Sequence, residues 1–171
     1  MKSDMGGVTA ARAALWVLVL GMMCAGAGAP RQHRTGDDRR AGALVVGSLP
    51  AAEQLAVGRT PRSDLIGLWQ GMLWADGYSA PSGVTCTYDE ATAGATRVWQ
   101  SNHHLSPDGI VGPATWSAAE ERVASYGRWT AYQGEIFDLP LRMDQDRCYE
   151  VYDSGRFHRL RTDAVTLTLC R

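Results

Sequence analysis

The chain has 171 residues, with 17 basic and 18 acidic side chains and a net charge of −1. This balance gives no excess of positive charge to attract nucleic acid or an anionic membrane surface, so neither is an expected partner. Lys2 is the only lysine, and it lies in a segment that we expect to be removed. Mechanisms that use a lysine as a base, a Schiff-base amine or a phosphate clamp are thereby excluded.

The first 27 residues have the layout of a secretory signal peptide. Basic residues precede an apolar run at 13–23, small residues follow at 25–29, and we expect cleavage after Ala27. The run is too short for a membrane span, which needs about 20 apolar residues. Cys24 lacks the usual preceding residues of a lipoprotein signal. Cleavage takes away Lys2, Arg12 and Asp4, so the mature chain keeps 15 positive and 17 negative groups. We expect no membrane span after cleavage.

Residues 28–62 combine glycine, proline and mixed charges, a composition that predicts a flexible tether. At Ser63 the apolar residues begin to recur at helical spacing. We expect a helix that Ser63 caps and Gly77 ends.

Two more helices are predicted downstream. One runs from about Glu90 to His103 with Asp89 as its cap, and the other begins at Pro113, where a missing N–H does no harm. The apolar stripe of the third helix consists of Trp116, Ala119 and Val123. Trp69, Trp99 and Trp116 are expected to build one core of about 60 residues. The fold class is therefore predicted to be mainly α, a three-helix orthogonal bundle over 63–124 with a small C-terminal β-hairpin extension.

The extension, 125–171, is predicted from alternating apolar residues and turn signals. Its five short β-like segments are 129–133, 135–139, 148–152, 156–160 and 165–169. Asp153, Ser154 and Gly155 favour a tight hairpin between two of them, and Pro140 should stop its strand or place it at an edge. We expect the segments to pack on the helices, with a disulfide as a staple.

Three cysteines remain after signal cleavage, so not all of them can pair within one chain. Cys148 and Cys170 bracket the end of the β-rich extension, and we pair them. Cys86 would then be free or would join a partner or a second copy. Sequence alone does not fix this connectivity.

Between Asp64 and Ala124 a Trp-Gln pair occurs twice and is followed by a turn string. The residues of this pattern are Trp69, Gln70, Trp99, Gln100, Gly109, Gly112, Pro113, Thr115 and Trp116. Through them the segment resembles the peptidoglycan-binding-like domain that accompanies many bacterial cell-wall hydrolases. That family has a three-helix fold made of two related halves, each with an aromatic residue or leucine followed by glutamine. Gly109 and Gly112 can take backbone angles closed to other residues. Asp89, Glu90 and His104 depart from the family pattern.

The resemblance implies a binding function, and ligand contacts would come from polar groups beside a groove. Our candidates are Tyr78, Asn102, His103 and Asp108. Arg97 could pair with a stem-peptide carboxylate, although a solvated helix face is the simpler interpretation. No metal and no cofactor are expected.

The sequence gives little support to any set of catalytic residues. Asp144 and Asp146 are two residues apart in a turn-like segment, which favours solvation over glycan cleavage. The histidines do not converge as zinc ligands, because His33 lies in the tether, His103 and His104 point apart, and His158 stands alone. Cys148 with His158 could form a thiol dyad, but a disulfide would silence it. No nucleophile elbow is present.

The leading hypothesis is therefore a secreted, cell-wall-associated, non-catalytic protein that binds peptidoglycan. The alternatives are a hydrolase, or a helper of one, that uses the C-terminal extension, and an extracellular protein-interaction module that uses Cys86.

Overall fold

A computed structural model describes residues 53–127, 129–145 and 149–170 of the chain. The predicted signal peptide and most of the predicted tether, with Cys24 and His33, lie outside these residues, as do Asp146 and Cys148. In the part described, no helix is long and apolar enough to cross a membrane.

Three α-helices form the first part of the fold, and they begin where the sequence predicts. They are α1 (Asp64–Ala75), α2 (Glu90–Asn102) and α3 (Pro113–Glu120). The Asp89 side chain caps α2 by accepting from the Thr92 N–H at 2.8 Å. Ser63 occupies the N-cap position of α1, but its side chain forms no capping hydrogen bond. Gly77 follows α1 at a φ of +80°, which suits the turn that ends a helix.

The three tryptophans form the centre of the helical core, as predicted. Trp69, Trp99 and Trp116 are fully buried, and the Trp69 ring lies edge-on to the other two, at centroid distances of 5.1 and 5.5 Å. Each indole N–H has an acceptor, so burial leaves no indole donor unpaired.

The second part of the fold is a five-stranded antiparallel sheet in sequential order: β1 (Val123–Tyr126), β2 (Trp129–Gln133), β3 (Asp138–Met143), β4 (Tyr149–Asp153) and β5 (Arg156–Arg159). The predicted fold class, mainly α with a small hairpin, is therefore wrong, because the chain is a mixed α/β protein. The helical bundle itself is present as expected. The reason for the error is that five short strands pair in one continuous meander, which no single strand's sequence reveals.

Individual strands depart from the prediction at several places. Val123, assigned by sequence to the third helix, lies in β1, since α3 ends at Glu120. Pro140 does not stop β3; it lies opposite Ala131 of β2, and pairing with β4 begins only at Leu141. The segment 165–169 forms no strand. The hairpin at 153–155 is confirmed, with positive φ at both of its central residues, Ser154 and Gly155.

Buried carboxylates join the sheet and the C-terminal tail to α1. Asp76, at the end of α1, accepts from the Trp99 indole N–H at 2.7 Å and from the Tyr132 hydroxyl at 2.5 Å. Asp64, at its start, accepts from the backbone N–H of Thr166 at 2.6 Å and of Leu167 at 3.1 Å. The sheet and the tail are thus held by polar contacts at both ends of one helix.

The disulfide differs from the predicted pair. Cys170 is bonded to Cys86, with their Cα atoms 5.3 Å apart, so the Cys148–Cys170 pairing is wrong and Cys86 is not free. Gly67 of α1 makes room for this bond, because a Cβ at that position would lie 2.5 Å from the Cys86 sulfur. The tail therefore ends in a covalent bond to the helical part of the chain.

The described end of the predicted tether also packs on the helices. Leu55 is fully buried, and it exchanges two backbone hydrogen bonds with Val111. The Trp116 indole N–H donates to the carbonyl of Glu53 at 3.1 Å. Leu55 thus contributes to the core next to the family-like segment.

Candidate functional groove

Each of the two helix-connecting loops is held by a buried glutamine. Gln70 on α1 accepts from the N–H groups of Thr85 and Cys86 at 2.9 and 2.8 Å. Its amide group donates to the Thr87 carbonyl and the Thr92 hydroxyl, both at 2.9 Å. The side chain therefore fixes the returning end of the loop between α1 and α2, called the first loop below (76–89).

Gln100 on α2 does the same for the second loop (103–112). Its carbonyl accepts from the Gly109 N–H at 2.9 Å, and its amide donates to Asp108, to the Ile110 carbonyl and to Thr115. Gly109 has a φ of +75°, as a turn glycine should. Gly112 does not, since its φ is −106°. The expectation of a special backbone angle is wrong for Gly112, which is in an extended conformation that any residue can adopt.

The first loop has 14 residues and the second has 10, and a groove lies between the longer loop and the helices. The first loop contains a 3₁₀ turn at Pro81–Gly83. The groove has a volume of about 410 Å³, within the range of small-molecule sites. It is lined by Gln70, Leu73, Tyr78, Ser79, Ala80, Ser82, Gly83, Thr85, Asp89, Ala91, Thr92 and Ala95.

Ser79 gives this groove an unpaired polar group. Its hydroxyl oxygen is buried and, within the described part of the chain, it is the one buried side-chain N or O atom without a hydrogen-bond partner. Gly83 lies beside it, and a Cβ at Gly83 would be 3.5 Å from Ser79 Cβ and 3.8 Å from its hydroxyl oxygen. An unpaired buried hydroxyl costs stability, so a ligand that supplies its partner recovers that cost.

The groove contains one charged side chain. No described lysine, arginine or histidine lines it, and Asp89 is the acidic group at its rim. Arg62 lies nearby, but its guanidinium donates to the Thr85 carbonyl at 3.0 Å and is not part of the lining. The floor is apolar at Leu73 and Ala95. The site is thus built for a largely uncharged ligand with small apolar groups.

Of the four predicted ligand residues, one lines the groove, a second contacts that residue without lining the groove, and two lie elsewhere. Tyr78 lines it, and the Asn102 amide donates to the Tyr78 hydroxyl at 2.9 Å. His103 instead stacks on Trp99 at a centroid distance of 3.8 Å and faces Arg122.

Asp108 has a structural role in the second loop. Its carboxylate accepts from the Gln100 amide and from the Ile110 N–H, which holds the turn. Arg97, predicted to lie on a solvated helix face, is exposed, and its side chain also covers Gly109. Neither residue lines the groove.

Sequence reasoning missed Ser79, Gly83 and Thr85. They lie in a run of small residues that reads as an ordinary turn, and no pattern in it shows that one hydroxyl lacks a partner. The Gln70 signature could have pointed to Thr85, because the glutamine must bond the loop that returns to α2.

The catalytic candidates are not assembled in the described residues. Asp144 forms an ion pair with Arg159, and the His158 ring accepts from Arg156 at 3.0 Å. His104 takes a φ of +58° just after α2, which is a structural position at the end of a helix.

One group of three possible metal ligands is found in the described part of the chain: Asp64, Cys86 and Cys170. Its sulfurs are bonded to each other, and its carboxylate accepts from the tail backbone.

Comparison with known protein families decides which part of the molecule carries the resemblance. Residues 62–119 match the family described as "Putative peptidoglycan binding domain". The predicted family resemblance is confirmed for this segment. The match begins just before α1 and ends within α3, so every residue that lines the groove lies inside it. No curated protein and no solved structure matches the chain.

A second concavity, of about 480 Å³, lies on the outer face of the sheet, lined by Thr130, Ala131, Pro140, Tyr152 and Phe157. All five residues lie outside the family match. The groove of the first loop is therefore the better candidate for the family's function.

Proposed function

We propose that this chain is a secreted, non-catalytic protein that binds peptidoglycan of the bacterial cell wall through the groove of the first loop. The observation that carries the proposal is the coincidence of two findings. The family match over 62–119 suggests peptidoglycan binding, and the same residues build a groove with an unpaired buried hydroxyl at Ser79.

The secreted location rests on the sequence of the first 27 residues and on the disulfide. A bond between Cys86 and Cys170 is in keeping with an oxidising compartment, where disulfides persist. The pattern of a basic start, an apolar run and small residues is typical of an export signal.

The non-catalytic role rests on the chemistry of the groove. Acyl transfer or glycan cleavage needs a nucleophile with a base, a pair of carboxylates or a bound metal. The described lining offers hydroxyls, one amide and the single carboxylate of Asp89. Such a set suits recognition.

Co-sedimentation with purified peptidoglycan sacculi tests the binding. We expect the oxidised protein to pellet with sacculi in a saturable way, and to stay soluble with cellulose of equal mass. A folded sample that remains in the supernatant at all sacculus concentrations would contradict the proposal.

The same incubation tests the absence of catalysis. We expect no release of reducing sugar or of free amino groups into the supernatant over a day. Release that exceeds a boiled-protein control would overturn the non-catalytic role and favour a hydrolase.

A further inference from the structure

The groove has features that select one chemical group within peptidoglycan. Its lining combines apolar carbon at Leu73 and Ala95 with a hydroxyl at Ser79 that has no partner among the described residues. A buried hydroxyl of this kind can donate to an oxygen acceptor. A ligand that fits both features carries a carbonyl oxygen beside a small apolar group.

The rim adds a hydrogen-bond acceptor. Asp89 uses one carboxylate oxygen, Oδ1, to accept from the Thr92 N–H and hydroxyl at 2.8 and 2.7 Å. Its other oxygen, Oδ2, forms no hydrogen bond with the described part of the chain. An N–H group that enters the groove can therefore be bound by Asp89.

We propose that the groove binds the 2-acetamido group of an N-acetylated sugar in the glycan strand. The methyl packs on Leu73 and Ala95, the carbonyl accepts from the Ser79 hydroxyl, and the N–H donates to Asp89. This inference rests on the proposed function, which it narrows from peptidoglycan to the glycan part of the polymer.

The charges of the groove disfavour the stem peptide. A terminal carboxylate would meet no positive side chain among the described lining residues, and Asp89 would repel it. A side-chain ammonium could approach Asp89, but the floor at Leu73 and Ala95 offers no groups to solvate a cation. The neutral acetamido group avoids both costs.

Binding of soluble oligosaccharides to the oxidised protein tests this inference. The probe is the tetramer of β-1,4-linked N-acetylglucosamine. The matched comparator is the tetramer of β-1,4-linked glucose, which has a hydroxyl in place of each acetamido group. We expect calorimetry to detect binding of the N-acetylglucosamine tetramer and no binding of the glucose tetramer. The affinity should change little between low and high salt, because no charge on the ligand takes part.

Two variants test whether the acetamido group binds in the groove. Ser79→Ala removes the donor, and we expect about a three- to tenfold weaker affinity, the usual effect of one hydrogen bond. Gly83→Ala adds a methyl beside Ser79 without a backbone clash, since its nearest contacts would be 3.5 and 3.8 Å. We expect Gly83→Ala to abolish detectable binding.

Gly94→Ala is the matched control. It makes the same change in α2, at a position where a Cβ would meet nothing within 4 Å. We expect this variant to bind the N-acetylated tetramer as the wild type does.

The outcomes separate the inference from the proposed function. Equal affinity for both tetramers would overturn the acetamido assignment. Binding to sacculi and to free stem pentapeptide, without binding to the N-acetylated tetramer, would overturn it while the proposed function stands. A folded protein that binds neither sacculi nor either soluble probe would contradict both.

Discussion

The two loops of the helical part share one device and differ in what it produces. Gln70 and Gln100 occupy matching positions after Trp69 and Trp99, and each bonds the loop that follows its helix. The second loop closes tightly over Gly109, and its polar groups are used within the turn. The first loop is longer, contains a 3₁₀ turn, and leaves the groove beside Ser79. A repeated sequence signature thus fixes the scaffold twice, while the length of one loop creates the candidate site.

The first loop also has a covalent attachment that the second lacks among the described residues. Cys86 joins it to Cys170 across 84 positions of sequence. We expect Cys86→Ser with Cys170→Ser to lower the free energy of unfolding by about 2–4 kcal/mol, because the cross-link restricts a long loop in the unfolded chain. Urea unfolding followed by tryptophan fluorescence measures this loss.

Cys148→Ser is the control for the disulfide, because it leaves the Cys86–Cys170 bond intact. We expect it to change stability little. Peptide mapping without reductant should recover a fragment pair that contains Cys86 and Cys170. A pair that joins Cys148 to Cys170 would contradict the structure.

Removal of either glutamine should have the next largest effect. Gln70→Leu and Gln100→Leu each leave buried N–H and hydroxyl groups without partners, and we expect each to cost about 2–3 kcal/mol of unfolding free energy. Sacculus binding by the folded fraction should fall only for Gln70→Leu. Equal loss of binding in both variants would show that the two loops do not differ in function.

Alanine substitution of a glycine should lower the stability of the protein in the second loop and leave it unchanged in the first loop. A Cβ at Gly109 would lie 2.9 Å from the Arg97 side chain and 3.1 Å from the Ala93 carbonyl oxygen, at a φ of +75°. We expect Gly109→Ala to cost about 1–2 kcal/mol of unfolding free energy. Gly83→Ala meets no such contact, and thermal unfolding should find it as stable as the wild type. A large loss of stability in Gly83→Ala would mean that the first loop is packed more tightly than the structure shows.

Tyr88 connects the two loops and makes stability depend on alkaline pH. Its hydroxyl donates to the Gly109 carbonyl at 2.8 Å, and burial raises its pKa to about 12. A raised pKa stabilises the folded state fully below the unfolded value of about 10, and the contribution is lost as pH rises toward the folded value. We expect Tyr88→Phe to cost about 1 kcal/mol at neutral pH.

The pH profile distinguishes this effect from a general loss of packing. Between about pH 10 and 12, the stability of the wild type should fall more steeply than that of Tyr88→Phe. Tyr132 contributes a similar slope in both proteins, because burial and its hydrogen bond to Asp76 also raise its pKa. Parallel profiles would contradict the assignment to Tyr88.

The helical part could be predicted from sequence because its signals are local. Trp69 and Trp99 recur with their glutamines, and Asp89 and Pro113 mark helix starts. The sheet could not be predicted as a whole, since no single strand's sequence reveals that five short strands pair in one meander. Its attachment to the helices depends on single carboxylates, which have no sequence pattern either. Asp76 looks like an ordinary residue at a helix end, yet it is buried and binds Trp99 and Tyr132.

The lining of the candidate groove can be predicted from sequence only in part. Tyr78, a candidate because its polar group could lie beside a groove, lines the groove of the first loop. Ser79 was not a candidate, because an unpaired hydroxyl is a property of the surrounding packing and has no sequence pattern. The Cys86–Cys170 bond joins positions that only the folded chain brings together.

The most direct test of the central claim is sacculus binding by Gly83→Ala beside Gly94→Ala, at equal concentrations of folded protein. We expect Gly94→Ala to pellet with sacculi as the wild type does, and Gly83→Ala to remain in the supernatant. Wild-type pelleting by Gly83→Ala would contradict the account, because the cell wall would then be bound at a surface other than the groove of the first loop.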